Sequence, residues 1–205
     1  MMTITFTLVM AMCAFSLAMS ISPGPVNMVI VSSGINHGVR RTMPFVSGAT
    51  IGFTMLLAFI GFGFIQILER FPLFLNYLTF AGAAFIIYLG IKVARSGGSL
   101  SVSEEEKMAT FWEGFALQWL NPKAWIACVS GVSLFSSVES HAVFSTFVLC
   151  YFIICYASLA FWAILGDQAT LFLNNSNRLR IFNMCMGSLL IGTALYLGYS
   201  QLFAN

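Results

Sequence analysis

Charge is what this sequence has least of. Nine Lys and Arg and seven Asp and Glu make up 8% of 205 residues, where an ordinary soluble domain carries about 25%. With 59% hydrophobic residues and a mean hydropathy of +0.90, the chain has no room for a soluble domain. Histidine is nearly absent: His37 and His141 fall in opposite loops, which excludes a two-histidine metal site. The five cysteines (Cys13, Cys128, Cys150, Cys155, Cys185) contain no CxxC pair, and all lie in apolar runs. They read as small packing residues, not as metal ligands or a thiol–disulfide couple. No cluster of His, Cys or carboxylate inside the apolar runs supplies a nucleophile and its base, so neither an enzyme nor a cofactor is expected.

What is present are apolar runs, recurring along the whole chain and exceeding the roughly 20 residues that a membrane helix needs. The expected class is an all-α polytopic membrane protein, 1–205 forming one transmembrane unit. Six helices are placed at about 4–34, 43–68, 73–94, 110–135, 142–173 and 180–203. The breaks fall at "NHGVRR", "ERFP", "RSGGSLSVSEEEK", "SVESH" and "NNSNR". In the third loop, "SVSE" and "SEEE" fit capping-box openings to the next helix. Residues 1–20 carry no Lys or Arg, and apolar character resumes after Pro25, so a retained helix is expected rather than a cleaved signal peptide.

Basic residues set the orientation. Arg40, Arg41, Lys92, Arg95, Lys107, Arg178 and Arg180 collect on one side, against Arg70 alone on the other. That places loop 96–109 in the cytoplasm and both termini outside, which is the periplasm for a bacterial inner membrane.

Three helices, a charged loop and three more helices suggest a 3+3 inverted repeat, with halves at about 1–95 and 110–205. An odd number of spans per half turns the second half over in the membrane. The halves share interrupted helices: Ser22-Pro23-Gly24-Pro25 lies inside helix 1, and Asn121-Pro122-Lys123 lies inside helix 4. Helices 3 and 6 share a weaker "YLG" ending. Paired breaks in corresponding positions point to a midplane transport site. The plainer alternative is a pair of tolerated proline kinks.

The chemistry of such a site follows from the backbone. Pro23 and Pro25 lack the N–H groups that would bond the carbonyls of Met19 and Ile21, and Pro122 likewise frees Gln118. After each break a half-helix begins with unpaired N–H groups and the positive end of its dipole. Each break therefore offers carbonyls to a cation and N–H groups to an anion. An α-amino acid zwitterion uses both. Ser22, Asn27 and Asn121 add neutral hydrogen-bonding groups.

Lys123 is the sharpest single residue, because a charge within a membrane span reads as functional. Its partner is left open among a substrate carboxylate, Asp167 and Glu113; snorkelling to an interface is the plain alternative. Asp167 is the first candidate for proton coupling. Gly48 and Gly52 have small-xxx-small spacing, explained by close helix packing within the protomer or in a homo-oligomer.

Several segments together resemble the lysine exporter (LysE/RhtB) family of bacterial inner-membrane amino-acid exporters. They are "SPGP" with Asn27, "GVRRTMPFVSGATIGF" at 38–53, "AGAAFIIYLG" at 81–90 and "GFALQWLNPKAW" at 114–125. The resemblance implies proton-driven efflux of a small amino acid. It carries over to Pro23, Gly24, Pro25, Asn121, Pro122 and Lys123, and more weakly to Asn27 and Gly48. A neutral, apolar-lined cavity favours a homoserine, threonine, leucine or cysteine type of substrate. The partners expected are this substrate, protons and the lipid bilayer. The rivals are an exporter of divalent cations or other small solutes, and a membrane accessory subunit. A divalent-cation exporter should place acidic or His residues at the midplane, where this sequence has a lysine.

Overall fold

The computed structural model of the protein describes residues 4–64, 72–96, 109–135, 141–171 and 175–203. Among these residues there are seven α-helices and no strand. They are α1 (Phe6–Ile21), α2 (Pro25–Phe59), α3 (Pro72–Arg95), α4 (Phe111–Leu120), α5 (Pro122–Phe135), α6 (His141–Ala169) and α7 (Ser176–Phe203). A five-residue π-helical turn, Ile60–Phe64, extends α2. Among the described residues, four stretches are long and apolar enough to cross a membrane: Pro25–Gly63, Tyr77–Arg95, His141–Ala169 and Ser176–Ser200. The helices Phe6–Ile21 and Pro122–Phe135 are apolar but shorter.

The count differs from the six expected helices for two local reasons. The prolines at 23, 25 and 122 split the first and fourth expected helices into α1 with the start of α2, and α4 with α5. The expected break at "NHGVRR" is found at Gly38, whose non-helical φ 77° and ψ 169° divide Pro25–Phe59 into two helices that meet end to end and are counted here as one element. That backbone is disfavoured for residues with a Cβ. The Thr42 hydroxyl bridges the kink, 2.9 Å from both the Gly38 carbonyl and the Ser33 hydroxyl. At 1.5 Å per residue, α4 and α5 together are about 36 Å long, enough for a hydrocarbon core of about 30 Å.

Helix α2 is the spine. α6 packs along it, α4 lies against its second half, α1 rests on α6, and α3 pairs with α7. Gly48 and Gly52 let α2 meet the backbone of α4 at Phe111 and Phe115, while Gly114 of α4 abuts the Phe45 carbonyl. Both glycines of the small-xxx-small pair are thus used within the protomer. Ile30, Phe45, Leu56, Leu117 and Phe147 fill the core between these helices.

A polar cluster closes one end. The fully buried Asn183 of α7 donates to the Ser96 carbonyl (2.8 Å) and to Asn36 Oδ1 (2.9 Å), and its own Oδ1 accepts from Asn36 (3.0 Å). The segments carrying Arg40 and Arg41, Lys92 and Arg95, and Arg178 and Arg180 adjoin these bonds in sequence. Arg70, Lys107, the acidic run 104–106 and both capping boxes expected there lie outside the described residues. The capping box that is described opens α4: Glu113 N–H donates to Thr110 Oγ1 (3.2 Å), and Thr110 N–H donates to Glu113 (2.8 Å).

Candidate functional site at the two helix breaks

Ending α1 at Ile21 and restarting at Pro25 orphans five consecutive carbonyls, those of residues 19–23. Each finds a side-chain donor. Ser22 Oγ donates to the Met19 carbonyl (3.0 Å), and Asn27 Nδ2 to the Ser20 carbonyl (3.2 Å). The indole N–H of Trp162, from α6, donates to the Ile21 carbonyl (3.2 Å). The Ser22 carbonyl accepts from Asn27 Nδ2 (3.0 Å) and Lys123 Nζ (2.8 Å). The Pro23 carbonyl accepts from Lys123 Nζ (3.2 Å). The helical pattern resumes with Met28 N–H bonded to the Gly24 carbonyl (3.0 Å).

The second break draws its donors from its own residues. The Gln118 carbonyl, freed by Pro122, accepts from Asn121 N–H (3.4 Å). Trp119's carbonyl takes the indole N–H of Trp125 (2.7 Å) instead of Lys123 N–H. Lys123 N–H turns to Asn121 Oδ1 (3.1 Å), the side-chain cap of α5. Gly82 of α3 lies against the Leu120 carbonyl, so close that a Cβ has no space.

The two breaks are therefore not equivalent. The expectation of open carbonyls and open N–H groups at both is corrected: the carbonyls of the first break are all occupied, and α5 is capped. What stays open is the start of α2. Its N-cap, Gly24, has no capping side chain, Pro25 has no N–H, and the N–H groups of Val26 and Asn27 have no acceptor among the described residues.

Lys123 joins the breaks. Its Nζ bonds Ser22 O, Ser22 Oγ (2.8 Å) and Pro23 O, three neutral oxygens for three N–H donors. Gly24 makes this possible, since a Cβ there would stand 3.1 Å from Nζ. Of the partners left open for Lys123, neither carboxylate is used. Glu113 pairs with Lys92 (2.7 and 2.8 Å) and accepts from the Tyr88 hydroxyl (3.1 Å). Asp167 lies at the kink, its Oδ1 3.5 Å from where a Cβ on Gly38 would stand. Lys123 is thus a half-buried ammonium without a counter-charge among the described residues.

The ammonium borders a cavity of about 40 Å³ between the breaks, room for roughly three water molecules. Gly24, Pro25, Asn27, Asn121 and Lys123, all singled out in the sequence, line it. Ser22 and Pro23 act through Lys123, and Pro122 shapes the second break without lining the cavity. Sequence reasoning missed Gln118 and Tyr151, which also line it, and Trp162, which caps Ile21. Gln118 is 4% exposed, and its side-chain amide makes no hydrogen bond to the described residues. A glutamine one turn before the Asn-Pro-Lys break was the available signal. Tyr151 is stacked on Phe53 with ring centroids 4.3 Å apart, a contact with no local signature.

Apolar spans around paired helix breaks, with one ammonium between them, define a membrane transporter by class. Residues 17–201 match the model of the LysE type translocator family, and the chain belongs to that family. It is 32% identical over 134 residues to a cysteine/O-acetylserine efflux protein of Klebsiella pneumoniae, covering 64% of this chain and 66% of that one. Proteins of the same description from Escherichia coli and Shigella sonnei are 32% identical over 142 residues, covering 68% of this chain and 71% of theirs. The similarity thus spans about two thirds of the relatives' length. No solved structure matches. The family is one of amino-acid efflux transporters rather than enzymes, as the resemblance implied.

Proposed function

We propose that this protein is a secondary exporter of small neutral amino acids or their derivatives, with the substrate bound between the two helix breaks. The observation that carries the reading is the uncompensated Lys123 ammonium beside the open N-terminus of α2. Together they ask for a carboxylate, and the neutral carbonyls next to them suit an ammonium group. Ser22, Pro23, Gly24, Pro25, Asn27, Asn121 and Pro122 shape this site, and Gln118 adds a free amide. The other lining side chains are uncharged, which favours homoserine, threonine, leucine or cysteine types over lysine or arginine. The relatives' cysteine and O-acetylserine are of that kind. A divalent-cation exporter is the weaker reading, because the cavity's charged side chain is itself a cation.

The same proposal includes one transport unit of six membrane crossings in two inverted halves, in a bacterial inner membrane, with both termini periplasmic. Packing supports the repeat: α2 rests on α4, and its counterpart α6 rests on α1, while α3 pairs with its counterpart α7. Proton coupling is assigned to Asp167, whose carboxylate lies against the Gly38 kink.

The test is a panel of amino acids measured in the medium of overproducing cells. Lys123→Ala and Pro23→Ala/Pro25→Ala variants are compared at matched membrane levels. One or a few neutral amino acids should accumulate with the unmutated protein alone. An unchanged panel, or variants that export as well as the parent, overturns the reading.

A further inference from the structure

We propose that Lys123 is a tethered stand-in for the substrate's ammonium group, and that loading is an exchange of one ammonium for another. This deepens, and rests on, the amino-acid reading above. Lys123 Nζ fills a cradle of three oxygens, Ser22 O, Ser22 Oγ and Pro23 O, at 2.8, 2.8 and 3.2 Å. Three acceptors around three N–H donors suit a primary ammonium; a guanidinium or a quaternary ammonium does not match them. The cradle belongs to the break in α1–α2, while its occupant comes from the other break. The lysine side chain therefore ties the two halves of the site together.

Two observations say that the occupant is replaceable. First, the cavity beside it holds roughly three waters, less than an amino acid of seven or more heavy atoms requires. Space must be vacated, and the Lys123 side chain is the flexible group that lines it. Second, the groups an incoming carboxylate needs are already waiting there. The N–H groups of Val26 and Asn27 lack acceptors among the described residues, and the amide of Gln118, which lines the cavity, is unpaired among them. When the substrate's ammonium takes the cradle, Lys123 is released to pair with the carboxylate. The net charge in the cavity is unchanged, so the exchange avoids leaving a bare charge in a low-dielectric site. A compound with an ammonium but no carboxylate cannot compensate the displaced lysine, and one with only a carboxylate cannot fill the cradle. The device selects zwitterions.

The cradle is tested with Lys123→Met, which keeps the stem and removes the ammonium. Purified protein is melted in 100 mM methylammonium chloride and in 100 mM tetramethylammonium chloride, the latter having no N–H donor. Methylammonium should raise the melting temperature of Lys123→Met by about 2–4 °C over tetramethylammonium, and leave the unmutated protein unmoved. A folded Lys123→Met that responds equally to both salts overturns the cradle. Should that variant not survive extraction, membranes containing Lys123→Ala are extracted in butylammonium, which replaces the missing side chain. Recovery of monodisperse protein supports the cradle, and failure to recover overturns it.

The amino-acid reading is separated by melting the unmutated protein with L-cysteine, L-serine, L-threonine, L-homoserine and L-leucine, and with their methyl esters. Shifts with an acid but not its ester support the exchange; equal shifts with both overturn it. If no amino acid shifts the unmutated protein while methylammonium shifts Lys123→Met, the cradle stands and the amino-acid reading falls.

Discussion

The ammonium of Lys123 lies 2.8 Å from the carbonyl oxygen of Ser22, 101 residues away in sequence, and on that contact the two halves of the cavity meet. The bond explains how a proline-glycine-proline run survives inside an apolar span. In hydrocarbon an orphaned carbonyl has no water to bond, so donors must come from the protein. Lys123, Asn27, Ser22 and Trp162 supply them.

Lys123→Arg should abolish export nearly as fully as Lys123→Met. The planar guanidinium does not fit three oxygens arranged around a single nitrogen. Loss of one charge-assisted hydrogen bond already represents about a tenfold change. Initial rates of amino-acid appearance outside cells, at matched membrane levels, check this.

Asn27→Leu should lower stability. It strips the Ser20 carbonyl of its donor and leaves the Ser22 carbonyl to Lys123 alone. The expected loss is about 1–3 kcal/mol for a buried acceptor left unpaired. Thermal unfolding in detergent measures it, and an unchanged midpoint would show that water replaces the amide.

Trp162→Phe removes only the N–H that serves the Ile21 carbonyl and keeps most of the ring. The effect should be smaller, about 0.5–2 kcal/mol, in the range of hydrogen bonds between membrane helices. Because Trp162 is outside the cavity lining, substrate preference should not change.

Gly82→Ala should fail to give folded protein. Its methyl group would run into the Leu120 carbonyl, a backbone atom that cannot rotate away. Gly192→Ala, where a Cβ meets nothing within 4 Å, is the matched control and should fold normally. Size-exclusion profiles of the two variants separate the cases.

Glu113→Ala should destabilise more than Lys92→Ala, by about 1 kcal/mol. The carboxylate pairs with Lys92, accepts from the Tyr88 hydroxyl and closes the capping box with Thr110, so its removal opens all three at once. Unfolding midpoints of the two single variants, taken in the same detergent, test the order.

How much of the candidate site was legible follows from where each partner sits in the chain. Proline chemistry is local, so the breaks at Ser22–Pro25 and Asn121–Lys123 could be placed, and the freed carbonyls of Met19, Ile21 and Gln118 named, without coordinates. The Asn27 and Asn121 amides act within a few residues of their own breaks, and both were singled out. Trp162 was not, because its bond joins α6 to α1 across 141 positions and leaves no periodic trace. Glu113 was offered as a partner for Lys123, yet a closer cation on α3 claims it. The break expected at "NHGVRR" was legible too: Gly38 is non-helical there, and two helices meet at it across a sharp kink.

The sequence by itself determined that the chain is an apolar, helical membrane protein with two proline-made interruptions and one lysine inside a span. Hydropathy and missing N–H groups are properties of the chain, whatever it packs against. Only the tertiary structure decided that the interruptions are unequal and that one ammonium bridges them. Which donor satisfies which carbonyl depends on helices brought together from distant parts of the sequence. In a bilayer, where unpaired polar groups are costly, that choice makes one break a seat already taken and leaves the first turn of α2 open.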